Sequence, residues 1–218
     1  MSKVGILMGS KSDFDVVKPA VNVLKKFGVE VEVRVISAHR TPDEAHEYAA
    51  TAKERGVEVL ICAAGKAAHL GGVIAAMTTL PVIGLPVKTD MMGGLDSLLS
   101  IVQMPSGIPV ATVGVNGGEN AGLLALQILG IKYPEIEKQL ADYKVAMRDK
   151  INADDAALQE LYLVNTRLLK SSATLQSIYV ELIFSWCHSD FLPLYAVNAL
   201  LYSICLSIRF SVASNRFV

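Results

Sequence analysis

Hydrophobic and polar positions run along this chain in blocks whose period keeps switching. Residues 4–8, VGILM, form a short apolar run that stops at GSKSD. Val16, Val17, Ala20, Val23, Leu24 and Phe27 then recur at helical spacing, and Gly28 supplies the stop. Pro19 lies inside this helix, which calls for a kink or a later start. VEVEVRVIS alternates with period two and is rich in valine, the pattern of a strand. In TPDEAHEYAATAKERG, Thr41 takes the N-cap position, Pro42 the first helical position and Glu44 the third after the cap. That spacing predicts a capping box.

The cycle then repeats. VEVLICAAG, PVIGLPV and IPVATVGV read as strands, and KAAHLGGVIAAMTT and GGENAGLLALQILG as helices. KTDMMGGLDSLLSIVQM reads as a loop leading into a helix, its glycine pair and methionines suiting either a moving cover or a subunit contact. A longer helix starts near Pro134 with Ile136, Leu140, Tyr143, Met147 and Ile151 on one face. Strands alternating with helices predict right-handed crossovers and an α/β fold: a five-stranded, flavodoxin-like, doubly wound parallel sheet in three αβα layers.

Composition divides the chain in two. All 16 glycines, all but four of the 20 basic side chains and all but two of the 21 acidic ones precede residue 161. Nine of the aromatic residues follow it. The expected organisation is a domain over residues 1–160 and an apolar tail over residues 161–218. Within the tail, residues 191–208 form an uncharged, mainly apolar run between Asp190 and Arg209, a borderline length for a membrane span. Pro193 and Asn198 weaken that reading. A frameshift or read-through product and an interaction helix are the other two. The net charge of −1 leaves no polybasic footprint for nucleic acid. Three cysteines, Cys62, Cys187 and Cys205, lack metal-ligand spacing and suit a reducing compartment. MSKVGILMGS has too short an apolar core for a signal peptide and reads as the first strand of a cytoplasmic protein.

Ligands of an open parallel sheet bind beyond the carboxyl ends of its strands. Those exits read Gly9-Ser10-Lys11-Ser12-Asp13, Ser37-Ala38-His39-Arg40-Thr41, Ala64-Gly65-Lys66-Ala67-Ala68-His69, Lys88-Thr89-Asp90 and Asn116-Gly117-Gly118. Functional side chains therefore gather at one edge. Ser10 suits a phosphate oxygen and Asp13 ribose hydroxyls, with a plain helix cap by Ser12 or Asp13 as the competing reading. Arg40 carries the donor fork that suits a phosphate, against a surface ion pair with Asp43 or Glu44. His39 is a candidate proton carrier. His69, among small apolar residues, reads equally as a core histidine. Lys66 suits an anionic group or an ordinary exposed position, and His46 reads as a solvated surface residue.

Assembled in order, GSKSD, SAHRTP, AGKAAHL, PVIGLPV, LDSLLSIVQMPSGIPVATV and NAGLLALQIL closely resemble the class I phosphoribosylaminoimidazole carboxylase catalytic subunits, the N(5)-carboxyaminoimidazole ribonucleotide mutases of purine biosynthesis. The resemblance covers residues 1–160. It implies His39 as the catalytic histidine, His69 as the second histidine of the pocket, and Ser10, Asp13 and Arg40 as substrate-binding positions; both histidines are read as catalytic, and Ser37, Gly65 and Lys66 at the same strand exits as further substrate-binding candidates. It further implies a carboxylate shift from nitrogen to ring carbon of an aminoimidazole ribonucleotide, with no cofactor or metal, in a homo-octamer. Lys66 and Gly71 stand where many members read AGGAAHLPG. Direct carboxylation by carbon dioxide, as in the class II branch, and a non-catalytic nucleotide- or flavin-binding module are the alternatives.

Overall fold

The computed structural model describes residues 2–187. The strands are β1 (Lys3–Met8), β2 (Glu30–Val35), β3 (Val59–Ala64), β4 (Val82–Pro86) and β5 (Ala111–Thr112). They form one all-parallel sheet in the order β2-β1-β3-β4-β5. The helices are α1 (Phe14–Lys26), α2 (Pro42–Ala52), α3 (Leu70–Ala75), α4 (Leu95–Val102), α5 (Gly118–Gly130) and α6 (Pro134–Cys187). This is the doubly wound, three-layer α/β arrangement expected from the alternation of periods.

The pleat sorts β3 between two cores. Val59, Ile61 and Ala63 face one side, where they pack with Val17, Ala20 and Leu24 of α1 and Ala125 and Leu126 of α5. Leu60, Cys62 and Ala64 face the other, against Tyr48 and Ala49 of α2, Ile74 of α3 and Ile101 of α4. Every residue of β3 is buried. The edge strand β2 keeps the alternating valine–charge pattern, as a half-covered strand does.

Five expectations change. α1 starts at Phe14 and continues through Pro19, so the late start does not occur; it packs on α5. Thr41 precedes α2 but makes no side-chain cap. Its hydroxyl instead donates to the Ser37 carbonyl at 3.1 Å and accepts the Ser37 N–H at 3.0 Å, so it closes the loop and cannot serve the helix. The capping box lies at Ser10 and Asp13, ahead of a 3-10 turn over Lys11–Asp13. α3 is six residues, shorter than the pattern predicts, because Lys66 takes a left-handed conformation and the chain becomes helical only after His69. β5 has two paired residues, since Pro109 lacks a ladder donor.

The chain divides into two units, the first Met1–Met147 and the second beginning at Arg148. In the first, the start of α6 buries Ile136 and Leu140 and packs Tyr143 on the core, whereas Met147 is exposed. In the second, residues 148–187 are helical, with Ile151, Leu158, Leu161 and Tyr162 exposed. Among the described residues no helix is long and apolar enough to cross a membrane. The apolar run 191–208 lies outside the described residues.

Candidate active site

The carboxyl ends of β1, β2, β3 and β4 open into one cavity of about 550 Å³. At the end of β1, the Ser10 N–H donates to Asp13 Oδ2 at 3.1 Å, and Ser10 Oγ accepts the Ser12 N–H at 3.3 Å. Burial pushes the Asp13 carboxyl above its ordinary pKa, and the Ser10 N–H, the Ser12 hydroxyl and the Arg40 charge oppose that rise. Asp13 stands at the N-cap of α1 but makes no side-chain cap to it; one oxygen instead accepts the Ser10 N–H and shapes the turn while the residue lines the cavity.

Beyond β2 the backbone is tied inward. The Ile36 N–H bonds the Met8 carbonyl at 2.9 Å, and the Ser37–Thr41 bonds then fold the chain back. Ser37 Oγ accepts the Arg40 N–H at 3.2 Å, and Arg40 Nη2 donates to the Gly9 carbonyl at 2.9 Å. This fixes the guanidinium over the β1 exit. His39 reaches across to the β3 exit, where its Nε2 lies 2.9 Å from His69 Nδ1 with the rings nearly edge-on, at 78°. One of these nitrogens donates and the other accepts.

Lys66 follows β3 with φ 58°. Its N–H donates to the buried Ser97 Oγ at 2.9 Å, and its carbonyl accepts from Ser100 Oγ at 3.3 Å. At β4, the Thr89 hydroxyl donates to Asp96 Oδ1 at 2.5 Å, and this bond holds the Asp96 carboxyl below its usual pKa. The Lys88 N–H is held by Asn116 Oδ1 at 2.8 Å.

All eight sequence-derived site residues, Ser10, Asp13, Ser37, His39, Arg40, Gly65, Lys66 and His69, line the cavity. His46 is exposed and apart from it. Ser12, Lys88 and Thr89 also line it and were not among those eight. The strand-exit rule that singled out Arg40 applies equally to Lys88 and Thr89.

The AIR carboxylase family model matches residues 3–150. The chain belongs to the AIR carboxylase family. The N5-carboxyaminoimidazole ribonucleotide mutase of Pyrococcus abyssi is 63% identical over 148 residues, covering 68% of this chain and 85% of that protein. The Thermotoga maritima protein of the same name is 54% identical over 161 residues, covering 74% of this chain and 94% of its own length. The crystal structure of Treponema denticola PurE superposes with a TM-score of 0.66 at 32% identity, covering 72% of this chain and 99% of that one. The family match therefore spans all five strands, and every cavity residue falls inside it.

Proposed function

We propose that this member of the AIR carboxylase family converts N(5)-carboxyaminoimidazole ribonucleotide to 4-carboxy-5-aminoimidazole ribonucleotide. The relatives named as mutases support the reaction class. The observation that carries its placement is the His39–His69 pair beside an anchored Arg40 in one cavity.

The chemistry balances on one proton. The C–N bond to the carboxylate breaks, the electron pair stays on nitrogen, and that nitrogen takes a proton from His39. Carbon dioxide stays in the cavity. The ring carbon attacks it, a C–C bond forms, and the proton displaced from that carbon returns to His39. A single imidazole thus acts as acid and then base. His69 holds the facing nitrogen of His39 and so sets which tautomer meets the substrate. Arg40 and Ser10 bind the phosphate, Asp13 the ribose hydroxyls, and Ser37 positions the guanidinium. Gly65 and Lys66 wall the side where the base sits. Carbon dioxide must be kept in and water out for the second step to follow the first.

The reaction requires no cofactor. The assembly proposed with it is a homo-octamer in the cytoplasm; the exposed Met91, Met92, Leu99 and Val102 near α4 supply apolar surface for such contacts. The test is turnover by the purified full chain of N(5)-carboxyaminoimidazole ribonucleotide without ATP. A rate independent of added bicarbonate supports the shift. Turnover of the uncarboxylated nucleotide with carbon dioxide alone would replace it by direct carboxylation.

A further inference from the structure

Lys66 occupies a backbone conformation that favours glycine. Its φ of 58° is left-handed, a region costly for a residue with a Cβ. The surroundings enforce it from both sides: the N–H is held by the fully buried Ser97 and the carbonyl by Ser100, both on α4. The side chain is exposed at the cavity wall, three residues ahead of His69. Among the described residues, no carboxylate forms an ion pair with it.

The other charged side chains of the cavity are engaged or stand at other strand exits. Arg40 is tied to the Gly9 carbonyl and lies at the β1 and β2 exits. Asp13 faces the Ser10 N–H. Lys88 leaves β4, the strand beyond β3 and so a further step of about 4.8 Å from the β2 exit that carries His39. Lys66 is therefore the cation at the strand exit where the histidine pair closes.

We propose that Lys66 is a specificity-determining residue that binds the substrate's carboxylate and so distinguishes carboxylated from uncarboxylated nucleotide. The proposal rests on the mutase reading and deepens it. The nucleotide is anionic at two ends. With phosphate and ribose at Arg40, Ser10 and Asp13 and the ring at the histidines, its carboxylate falls toward the β3 exit, where this chain adds a cation that members reading AGGAAHLPG lack. That group also moves, from nitrogen to carbon, and is uncharged in between. A flexible ammonium follows a moving charge, whereas a guanidinium fork favours one fixed geometry. An interaction made with the carboxylate in both substrate and product, and fading as neutral carbon dioxide forms, stabilises the bound states more than the transition state, so its loss weakens binding without slowing the chemical step.

The test is calorimetric titration of 4-carboxy-5-aminoimidazole ribonucleotide and of 5-aminoimidazole ribonucleotide into the wild-type chain and into Lys66→Met, Lys66→Gly and Lys66→Arg. Steady-state kinetics and thermal melting accompany it. The Met and Gly variants are expected to lose about tenfold to a hundredfold in affinity for the carboxylated nucleotide, the size of a hydrogen bond to a charged group. Affinity for the uncarboxylated one stays within about threefold. KM rises while kcat does not fall, Lys66→Arg keeps most of the discrimination, and Lys66→Gly melts no lower than wild type because the strain is gone. Equal losses for both nucleotides, or no loss for either, overturn the proposal. A wild-type chain that binds neither nucleotide and shows no turnover overturns the mutase reading itself. That failure is distinct from a wild type that binds both while the Lys66 variants discriminate unchanged.

Discussion

His39 Nε2 and His69 Nδ1 face each other at 2.9 Å across the β2 and β3 exits, thirty residues apart in sequence. At that distance the facing nitrogens share one proton, since two would repel and none would leave two acceptors opposed. Removing either ring therefore affects proton transfer more than binding. His39→Asn is expected to lower kcat by about 10²- to 10⁴-fold while nucleotide affinity stays within a few-fold. His69→Asn should lower kcat by at least about tenfold, because His39 loses the partner that orients it. Kinetics paired with calorimetry checks both, and full activity in His39→Asn would remove it from the mechanism.

Asp13 is held above its ordinary pKa chiefly by burial. A raised carboxylate contributes stability that is present below its unfolded pKa and lost as pH rises through the folded one, so at neutral pH its ionised form costs stability. Asp13→Asn should melt at the same temperature or up to about 3 °C higher at pH 7, and lose that advantage below about pH 4. Its KM for the nucleotide should rise about tenfold or more, since an amide replaces the charged acceptor for ribose hydroxyls. Melting curves at the two pH values, with kinetics, test the pairing of higher stability with weaker binding.

The strand exits were legible because period-two and helical blocks meet at Ser10, His39 and Lys66, and a parallel sheet gathers such junctions at one edge. Partners across the edge were not legible from periodicity. The His39–His69 contact depends on β1 lying between β2 and β3, which no local pattern encodes; the family resemblance supplied only that both histidines belong to one pocket. Thr41 shows the limit of spacing rules. Its capping-box pattern is intact in sequence, but the Ser37 backbone competes for the same hydroxyl and wins. The left-handed Lys66 depends on Ser97 and Ser100, more than thirty residues away.

Gly84 links the sheet to the wall of the cavity. A Cβ there would overlap Ile101 Cγ2 and lie 3.0 Å from Val110 Cγ1. Gly84→Ala must therefore push against α4, which carries Ser97 and Ser100. A destabilisation of about 1–3 kcal/mol is expected from overpacking, together with a raised KM as the Lys66 backbone loses its holders. Urea unfolding and kinetics measured on the same variant check it; an unchanged KM would uncouple α4 from the site.

Glu58 pins the opposite end of β3. Its carboxylate accepts from Lys132 Nζ at 2.7 Å and from the Tyr133 hydroxyl at 2.6 Å. Burial pushes its pKa up, but these two bonds outweigh it and hold the carboxyl below its ordinary value. The stability so gained is present above the unfolded pKa and lost as pH falls through the folded one. Glu58→Gln should cost about 1 kcal/mol at pH 7, a drop of about 2–4 °C. The gap to wild type should close as pH falls below about 4.5. A gap that persists at pH 3 would assign the loss to packing.

The last buried side chains of the first unit's core are Ile136 and Leu140, with Tyr143 packed against them. Tyr143 is further fixed by its hydroxyl bond to Glu119 Oε1 at 3.1 Å and its edge contact with Phe27. Past that turn α6 exposes Met147 and Ile151, so burial of the helix face ends well before residue 160. A chain ending at residue 160 is therefore expected to keep the whole core and cavity. Its kcat/KM should lie within about threefold of the full chain, with a melting midpoint within a few degrees. Light scattering on both chains then shows whether residues 161–218 alter assembly, and loss of activity on truncation would assign the tail a role in the active form.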